Sequence, residues 1–386
     1  MIFVSDFKSF EDFRIASNLV AGNGYCLVPE WGSTAIKSPG YPLFLSLFVL
    51  LFGSVAKTAI VIFQQILFAS IPFLLIILAN EWGKFRNNSD FWHKIGFISG
   101  WLFLVHPSYF YYPNVIEVTN LFIPLIVAFF IFLLKSLNAQ SNFASNNRKF
   151  FYYSLSSLLC GMLWLTQPIV IPILLLILIF LLIKKLFRFS IIYITFTVIL
   201  IAPWAIRNYI EFDHLIISKS PFWMNLYYGW LPEYHNQKRY DIIPDKVKDD
   251  IRSKLENGES DLQTEKIFKK IFLKYTTENP WLYAEKTLYQ TLCYWYMPPG
   301  YWNDTRLTYI YGRKLPVIIL NLLLIPGIYL LFKYDRKTAL IILLTLLYFT
   351  IVYSLTSSAN IRYKLDIEWL ELLPIATLFT KKPKSP

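Results

Sequence analysis

Charged side chains are scarce in this 386-residue chain. They make up 16% of it, whereas a soluble domain carries roughly 25%. Cysteine and histidine are scarce too, with 3 Cys and 4 His residues, and none of them shows zinc-site or C-x-x-C spacing. The composition therefore excludes an ordinary soluble domain and gives no signal for a metal centre. One pairing stays open, a disulfide between Cys26 and Cys293 if both face an oxidising compartment.

Two further absences narrow the class of protein. Residues 1–30 lack the basic start and apolar core of a secretory signal peptide. No segment of roughly 20–50 residues repeats along the chain, and no ion pair is evident in the middle of an apolar run. Transporters built from inverted repeats are therefore not favoured by this sequence.

Apolar runs, by contrast, are abundant, because 55% of the residues are hydrophobic and 18% are aromatic. Several runs reach about 18 residues, the length of a helix that crosses a hydrocarbon layer of about 30 Å. The sequence therefore predicts an all-α polytopic membrane protein with about nine spans. The predicted spans are residues 58–81, 95–111, 115–134, 150–166, 169–187, 189–206, 315–332, 338–355 and 369–380.

One more apolar stretch, YPLFLSLFVLLFG at residues 41–53, is short for a span. Charge gives a second reason to leave it out, because cytoplasmic loops are enriched in Lys and Arg. If it does not span and the N-terminus lies outside, the cations gather on the inner side. They then occupy residues 84–94, 135–149, 184–188, 333–337 and 381–384. We therefore predict an interfacial helix over 41–53.

The net charge of +12 follows from this topology and from attraction to anionic lipid head groups, so no nucleic-acid partner is predicted. The long polar segment falls on the outer side and shows helical periodicity. We predict four parts in a plasma (inner) membrane protein with an external active face. They are an external loop with two juxtamembrane helices (1–57), a transmembrane bundle (58–206), a mainly helical external segment (207–314), and further spans with a cytoplasmic tail (315–386).

The chain begins with a charged stretch, SDFKSFEDFRIASNLVAGNGY at residues 5–25, that has apolar residues at helical spacing. Ser5 is a suitable N-cap, and Gly22 and Gly24 are suitable stops. The pattern predicts a short helix on the outer interface, with Glu11 and Asp12 on its solvated face.

Several short motifs follow in a fixed order. The first two motifs, within residues 22–53, are GNGY and TAIKSPGYPLFL. They are followed by HPSYFYYPNVIEVTN (106–120), CGMLWLTQP (160–168), PWAIRNY (203–209), NLYYGW (225–230) and ANIRYKLDIEWLELLPIA (359–376). Their order and outer placement resemble the GT-C class of glycosyltransferases that use lipid-linked sugars, in the branch of protein mannosyltransferases and the lipid A aminoarabinose transferase.

The resemblance implies a GT-C-like bundle with two outer juxtamembrane helices. It also implies a polyprenyl-phosphate sugar as donor and a glycan, lipid or protein acceptor. The acid that opens the first juxtamembrane helix, Asp6 here, is implied to be the catalytic base. Glu117 matches an acidic residue just inside a later span and is the second catalytic candidate. No cofactor is implied, and a divalent metal is not indicated.

The chemistry of such a transfer fits these residue types. A carboxylate can take the proton of the acceptor, and cations can neutralise the departing phosphate. Arg suits phosphate because its planar guanidinium binds two oxygens at once. Arg362 is the main candidate, since it is a cation in an outer loop that is otherwise poor in cations. Arg207, Lys37 and Lys364 are supporting candidates.

Other interpretations stay open at this point. Arg207 could have no role beyond anchoring the end of a span, and Glu117 could be an exposed acid that begins a helix. The family has a span before the first loop, so the chain is expected to be N-terminally truncated. Trp230, Lys364 and Asp366 depart from the family motifs. The alternatives are a lipid-linked glycan flippase, a non-catalytic truncated relative, and a polymerase of surface polysaccharide.

Overall fold

The computed structural model describes residues 7–141, 145–220, 222–231, 237–256, 261–297, 301, 303–356 and 361–381. Within these ranges the regular structure is helical, and β-structure is limited to one isolated parallel bridge between Ser9 and Ile116. The chain divides into two compact units. Unit 1 comprises residues 1–21, 38–218 and 372–386, and unit 2 comprises residues 22–37 and 219–371.

Unit 1 is a bundle of helices in which α3 packs on α4 and α6, and α7 packs on α6 and α9. Ser145 caps α7, because its hydroxyl accepts the backbone N–H of Arg148. The helices are α1 (Glu11–Val20), α2 (Gly40–Phe52), α3 (Ala56–Phe85), α4 (Ser89–Leu104), α5 (Pro107–Tyr111), α6 (Thr119–Ser141), α7 (Asn146–Thr166), α8 (Ile171–Ile183) and α9 (Phe187–Phe212).

Unit 2 contains the predicted helical segment and the later apolar helices. Its helices are α10 (Trp223–Tyr228), α11 (Asp245–Glu256), α12 (Asp261–Glu278), α13 (Pro280–Trp295), α14 (Leu315–Tyr334), α15 (Arg336–Leu355) and most of α16 (Arg362–Ala376). A short α-turn (Leu307–Tyr309) and a π-turn (Ile310–Lys314) lead into α14. Within this unit α10 packs on α12, and α13 packs on α15.

The prediction of an all-α polytopic membrane protein is confirmed in the part of the chain that the structure describes. Five helical stretches there are long and apolar enough to cross a membrane. They are Gly40–Phe85, Thr119–Gln140, Phe187–Phe212, Leu307–Tyr334 and Arg336–Leu355. The full number of spans stays a prediction.

Two predicted spans have other bounds in the structure. The run at 95–111 is interrupted after Leu104, because Pro107 disfavours the helical conformation at His106, whose ψ of 111° is extended. The run at 169–187 forms the shorter helix Ile171–Ile183. Apolar length alone therefore overestimated both helices.

Both juxtamembrane helices exist as separate elements. Helix α1 begins at Glu11 instead of at the proposed cap Ser5, which lies outside the described residues together with Asp6. Helix α2 ends where Gly53 adopts a positive φ of 50°, a conformation that glycine tolerates best. Helix α2 packs on α1 and α3. Its location at the membrane interface stays a prediction.

The expectation of a loop at Arg362 is wrong, since Arg362 is the first residue of helix α16, while its location on the outer side stays a prediction. The family motif has a proline at the position of Asp366, and a proline there would remove a backbone donor and disrupt the helix. The only proline of α16 is Pro374, near its end. Asp366 is compatible with a helix at this position.

All three cysteines are buried and free. The disulfide between Cys26 and Cys293 that the sequence left open is therefore not formed.

Candidate functional site

The first candidate group lies in unit 1, and we call Asp12, Tyr41, Tyr112 and Glu117 the carboxylate cluster. Glu117 is 4% exposed and lies just before α6. Its side chain accepts a hydrogen bond from the hydroxyl of Tyr112. The reading of Glu117 as an exposed helix-start acid is therefore wrong, because the carboxylate is directed into the interior.

A network of amide side chains fixes the turn that carries Glu117. Gln64 Nε2 donates to the carbonyl oxygens of Pro113 at 2.9 Å and Val115 at 3.1 Å. Gln64 Oε1 accepts a hydrogen bond of 2.8 Å from the hydroxyl of Tyr41. Asn120 Nδ2 donates to the carbonyl oxygen of Val115 at 2.6 Å. Buried polar groups that are satisfied in this way hold one arrangement, so the position of Glu117 is defined by α2, α3 and α6 together.

Asp12 also belongs to the cluster, although the sequence pattern predicted it on the solvated face of α1. It was expected to be solvated, yet it is 6% exposed, whereas its neighbour Glu11 is exposed. Ile15 and Ala16, three and four residues later, are fully buried, so Asp12 lies on the inward face of α1. Both Asp12 and Glu117 act electrostatically on Tyr41. Two buried carboxylates therefore lie near one tyrosine.

The proposed base, Asp6, lies outside the described residues. The chain that follows it is described. The carbonyl oxygen of Lys8 accepts the backbone N–H of Ile116 at 2.9 Å, and Ser9 forms the isolated bridge with Ile116. The segment directly after Asp6 thus runs beside the residue that precedes Glu117.

The second candidate group lies in unit 2 at the start of α16, where Arg362 is half-buried. Its guanidinium lies 5.1 Å from the ring centre of Tyr363. The Tyr363 ring in turn stacks on Tyr353, at 4.3 Å between ring centres. Arg362 therefore adds a cation to the positively polarised end of a helix, an arrangement that favours anions.

Lys364 follows in the same helical turn and has a different environment. Its ammonium pairs with Glu371 and lies 3.9 Å from the ring centre of Trp295, and its side chain is 4% exposed. The two cations are thus brought together on α16. Only Arg362 is partly accessible, because Lys364 is enclosed with Glu371.

Two further acids on α16 have polar partners inside unit 2. The guanidinium of Arg313 lies 2.8 Å from each carboxylate oxygen of Glu368, which is fully buried. Asp366 accepts a hydrogen bond of 3.0 Å from the hydroxyl of Tyr353. Helix α16 therefore carries a buried polar network behind Arg362.

The remaining sequence candidates make other contacts. Arg207, in unit 1, donates to Asn208 Oδ1 at 2.8 Å and lies 5.2 Å from the ring of Trp204. Lys37, in unit 2, is half-buried, and its backbone oxygen accepts the hydroxyl of Tyr25 at 3.0 Å. The contacts of Arg207 fit an anchor at a helix end, the alternative that the sequence left open.

Trp230, which departs from the family motif, forms part of the core of unit 2. It is fully buried, and its indole N–H donates to Thr276 Oγ1 at 3.2 Å. Beside it lies Lys286, which no motif in the sequence indicated. The Lys286 ammonium is fully buried, has no hydrogen-bond partner among the described residues, and lies 4.4 Å from the ring centre of Tyr283. Burial lowers the pKa of Lys286 to about 7.

Replacing Lys286 with methionine is expected to stabilise the protein at pH 6 and to lose that advantage at high pH. The lysine has a pKa of about 7 in the folded chain and of about 10.4 when unfolded. Between these values the unfolded chain binds more protons, so the stability of the parent rises by roughly 1.4 kcal/mol per pH unit. Denaturant unfolding in detergent at pH 6–10 measures the difference.

The matched control for that experiment is Lys270→Met on α12, because Lys270 is exposed. Its effect on the free energy of unfolding should not change with pH over this range. A Lys286→Met advantage that stays constant from pH 6 to 10 would contradict the shifted pKa.

In the described ranges, no three His, Cys, Asp or Glu side chains come together as metal ligands would.

No family model matches the chain, and no curated protein matches it. Among solved structures, it is similar to the crystal structure of ArnT from Cupriavidus metallidurans in the apo state. The identity is 13% and the TM-score 0.40, over 97% of this chain and 74% of ArnT. At this low score and identity, the likeness gives no residue of the chain a role.

Proposed function

We propose that the chain is an integral-membrane glycosyltransferase of the GT-C type. It would move a sugar from a polyprenyl-phosphate carrier to a protein, lipid or glycan acceptor on the outer face of the membrane. The observation that carries the proposal is the carboxylate cluster of unit 1. Buried acids within a membrane-embedded bundle are costly, and such residues mark functional sites by default.

The proposed reaction is a single displacement. The acceptor hydroxyl loses its proton to a carboxylate, for which Asp6 is the first candidate and Glu117 the second, while the acceptor oxygen bonds to the anomeric carbon of the sugar. The bond between that carbon and the phosphate oxygen breaks, and the electron pair leaves with polyprenyl phosphate. A displacement without a covalent intermediate inverts the anomeric configuration.

Two groups of residues support this assignment. The chain after Asp6 is paired with Ile116, which is consistent with a role for both Asp6 and Glu117 in acid–base chemistry. Arg362 is assigned to the departing phosphate, because it is a half-buried guanidinium at the start of a helix. Lys37 and Arg207 are assigned supporting roles. Lys364 would act from the interior by neutralising Glu371.

A flippase for lipid-linked glycans is the main alternative, and the fate of the donor distinguishes the two. Membranes from cells that express the chain would receive a panel of polyprenyl-phosphate sugars with radiolabelled sugar. The proposal predicts release of polyprenyl phosphate and equal incorporation of label into an acceptor, above the level of membranes without the protein. Movement of the intact donor across the bilayer would support a flippase. Neither outcome, with folded protein present, would identify a non-catalytic relative.

A further inference from the structure

A cavity of about 690 Å³ opens where the helices α6 to α9 of unit 1 end and begin. Its wall combines the end of α6, the first turns of α7 and α9, and the turn between α8 and α9. The residues that matter for its chemistry are Gln140, Lys149, Tyr153, Lys185, Phe187 and Arg188.

The charge of this pocket has one sign. Lys149, Lys185 and Arg188 line it, and none of the other described residues in its wall is acidic. None of the three forms an ion pair with another residue in the described ranges. Helices α7 and α9 begin here while α6 and α8 end here, so the helix-end dipoles oppose one another and the side chains carry the positive charge. The pocket therefore holds uncompensated positive charge that suits an anion.

The floor and the rim of the pocket are formed by aromatic side chains. Tyr153 is buried, stacks on Phe189 at 4.2 Å between ring centres, and donates its hydroxyl to Gln140 Oε1 at 2.8 Å. At the rim, the side chains of Phe150 and Phe187 are 55% and 57% exposed. Cations beside exposed aromatic rings suit a ligand with an anionic head and apolar chains.

The location of the pocket agrees with such a ligand. It lies at the end of α6 and the start of α9, and both helices are long and apolar enough to cross a membrane, so it is at the level of the head groups. Glu117 lies at the opposite end of α6, a helix of 23 residues, or about 35 Å away at 1.5 Å per residue. The pocket is therefore separate from the carboxylate cluster and does not depend on the proposed reaction.

Lys185 has a positive φ of 57°, a conformation that glycine or asparagine adopts more easily. A lysine at this turn is accommodated at some cost in backbone energy, and its position places an ammonium at the pocket.

We infer that this pocket binds the phosphate-bearing head group of an anionic phospholipid. Lys149, Lys185 and Arg188 contact the phosphate, and the exposed rings of Phe150 and Phe187 contact the acyl chains. Lipid is the occupant, in preference to free phosphate, because the apolar rim continues from the cationic wall.

The test is native mass spectrometry of the detergent-purified full chain titrated with phosphatidylglycerol or phosphatidylcholine. The parent is expected to bind one phosphatidylglycerol about tenfold or more tightly than phosphatidylcholine. The triple variant Lys149→Gln, Lys185→Gln, Arg188→Gln should lose this preference. The control variant Lys333→Gln, Arg336→Gln, Lys337→Gln removes the same charge from exposed residues and should keep it.

Three results would overturn the inference. The parent could bind the two lipids equally well. Both triple variants could lose the preference for phosphatidylglycerol to the same extent, or inorganic phosphate at millimolar concentration could displace the lipid completely. If the triple variant fails to fold, Lys185→Gly gives a second test, because glycine suits the positive φ. It should fold as well as the parent and bind phosphatidylglycerol about fivefold more weakly.

Discussion

Replacing Glu117 with glutamine is expected to lower the rate of sugar transfer by about 10²–10⁴-fold, the usual contribution of a group that transfers protons. Glutamine has nearly the same shape and can still accept the hydrogen bond from the Tyr112 hydroxyl. The turn held by Gln64 and Asn120 should therefore keep its structure. The measurement is the initial rate of polyprenyl-phosphate release with saturating donor.

Glu11→Gln is the matched control for Glu117→Gln, since Glu11 is an exposed acid on α1. Its rate should stay within about twofold of the parent. Asp12→Asn, in the same cluster, separates a specific role of Glu117 from a general need for buried negative charge. A Glu117→Gln protein that is folded and transfers sugar as fast as the Glu11→Gln control would remove Glu117 from the mechanism.

Replacing Glu368 with alanine is expected to cost about 3–5 kcal/mol of the free energy of unfolding, the largest stability effect expected in unit 2. The change leaves the Arg313 guanidinium without the carboxylate that lies 2.8 Å from two of its nitrogens. Both side chains are nearly inaccessible, with 8% and 1% exposure, so water cannot replace the lost partner. Denaturant unfolding in detergent measures the loss.

Two comparisons show whether the burial of the pair is responsible. The double variant Arg313→Met, Glu368→Leu removes both charges and should be close to the parent in stability, because no buried charge remains. Arg306→Ala breaks a pair with Asp304 in which the arginine is 68% exposed, and it should cost less than about 1 kcal/mol. Equal losses for Glu368→Ala and Arg306→Ala would contradict the buried network.

The helical membrane architecture and the existence of helices α1 and α2 could be predicted from the sequence, because apolar length and helical spacing are local properties. The misplacement of Asp12 was avoidable in principle. Its spacing to Ile15 and Ala16 puts it on the apolar face of α1, but its charge led to the prediction that it faces solvent. Lys286 lies on the same buried face of α13 as Gln290 and Cys293, at helical spacing. The many aromatic residues near it made this spacing difficult to recognise in the sequence.

The network on α16 could not be predicted in this way. Arg313 and Glu368 are 55 residues apart, and no local pattern specifies such a pairing. The family resemblance also misled at this point, because it implied a loop where the structure has helix α16. The motif match therefore did not predict the backbone conformation at Arg362, and the role of Arg362 stays a prediction.

The most direct test of the central claim is the rate of sugar transfer from a polyprenyl-phosphate donor in Arg362→Ala compared with Arg306→Ala. Both variants remove an arginine from unit 2, and only Arg362 is assigned to the departing phosphate. The account predicts a loss of about 10²–10³-fold for Arg362→Ala and a nearly unchanged rate for Arg306→Ala. Equal rates in both variants, or no donor consumption by the folded parent, would contradict it.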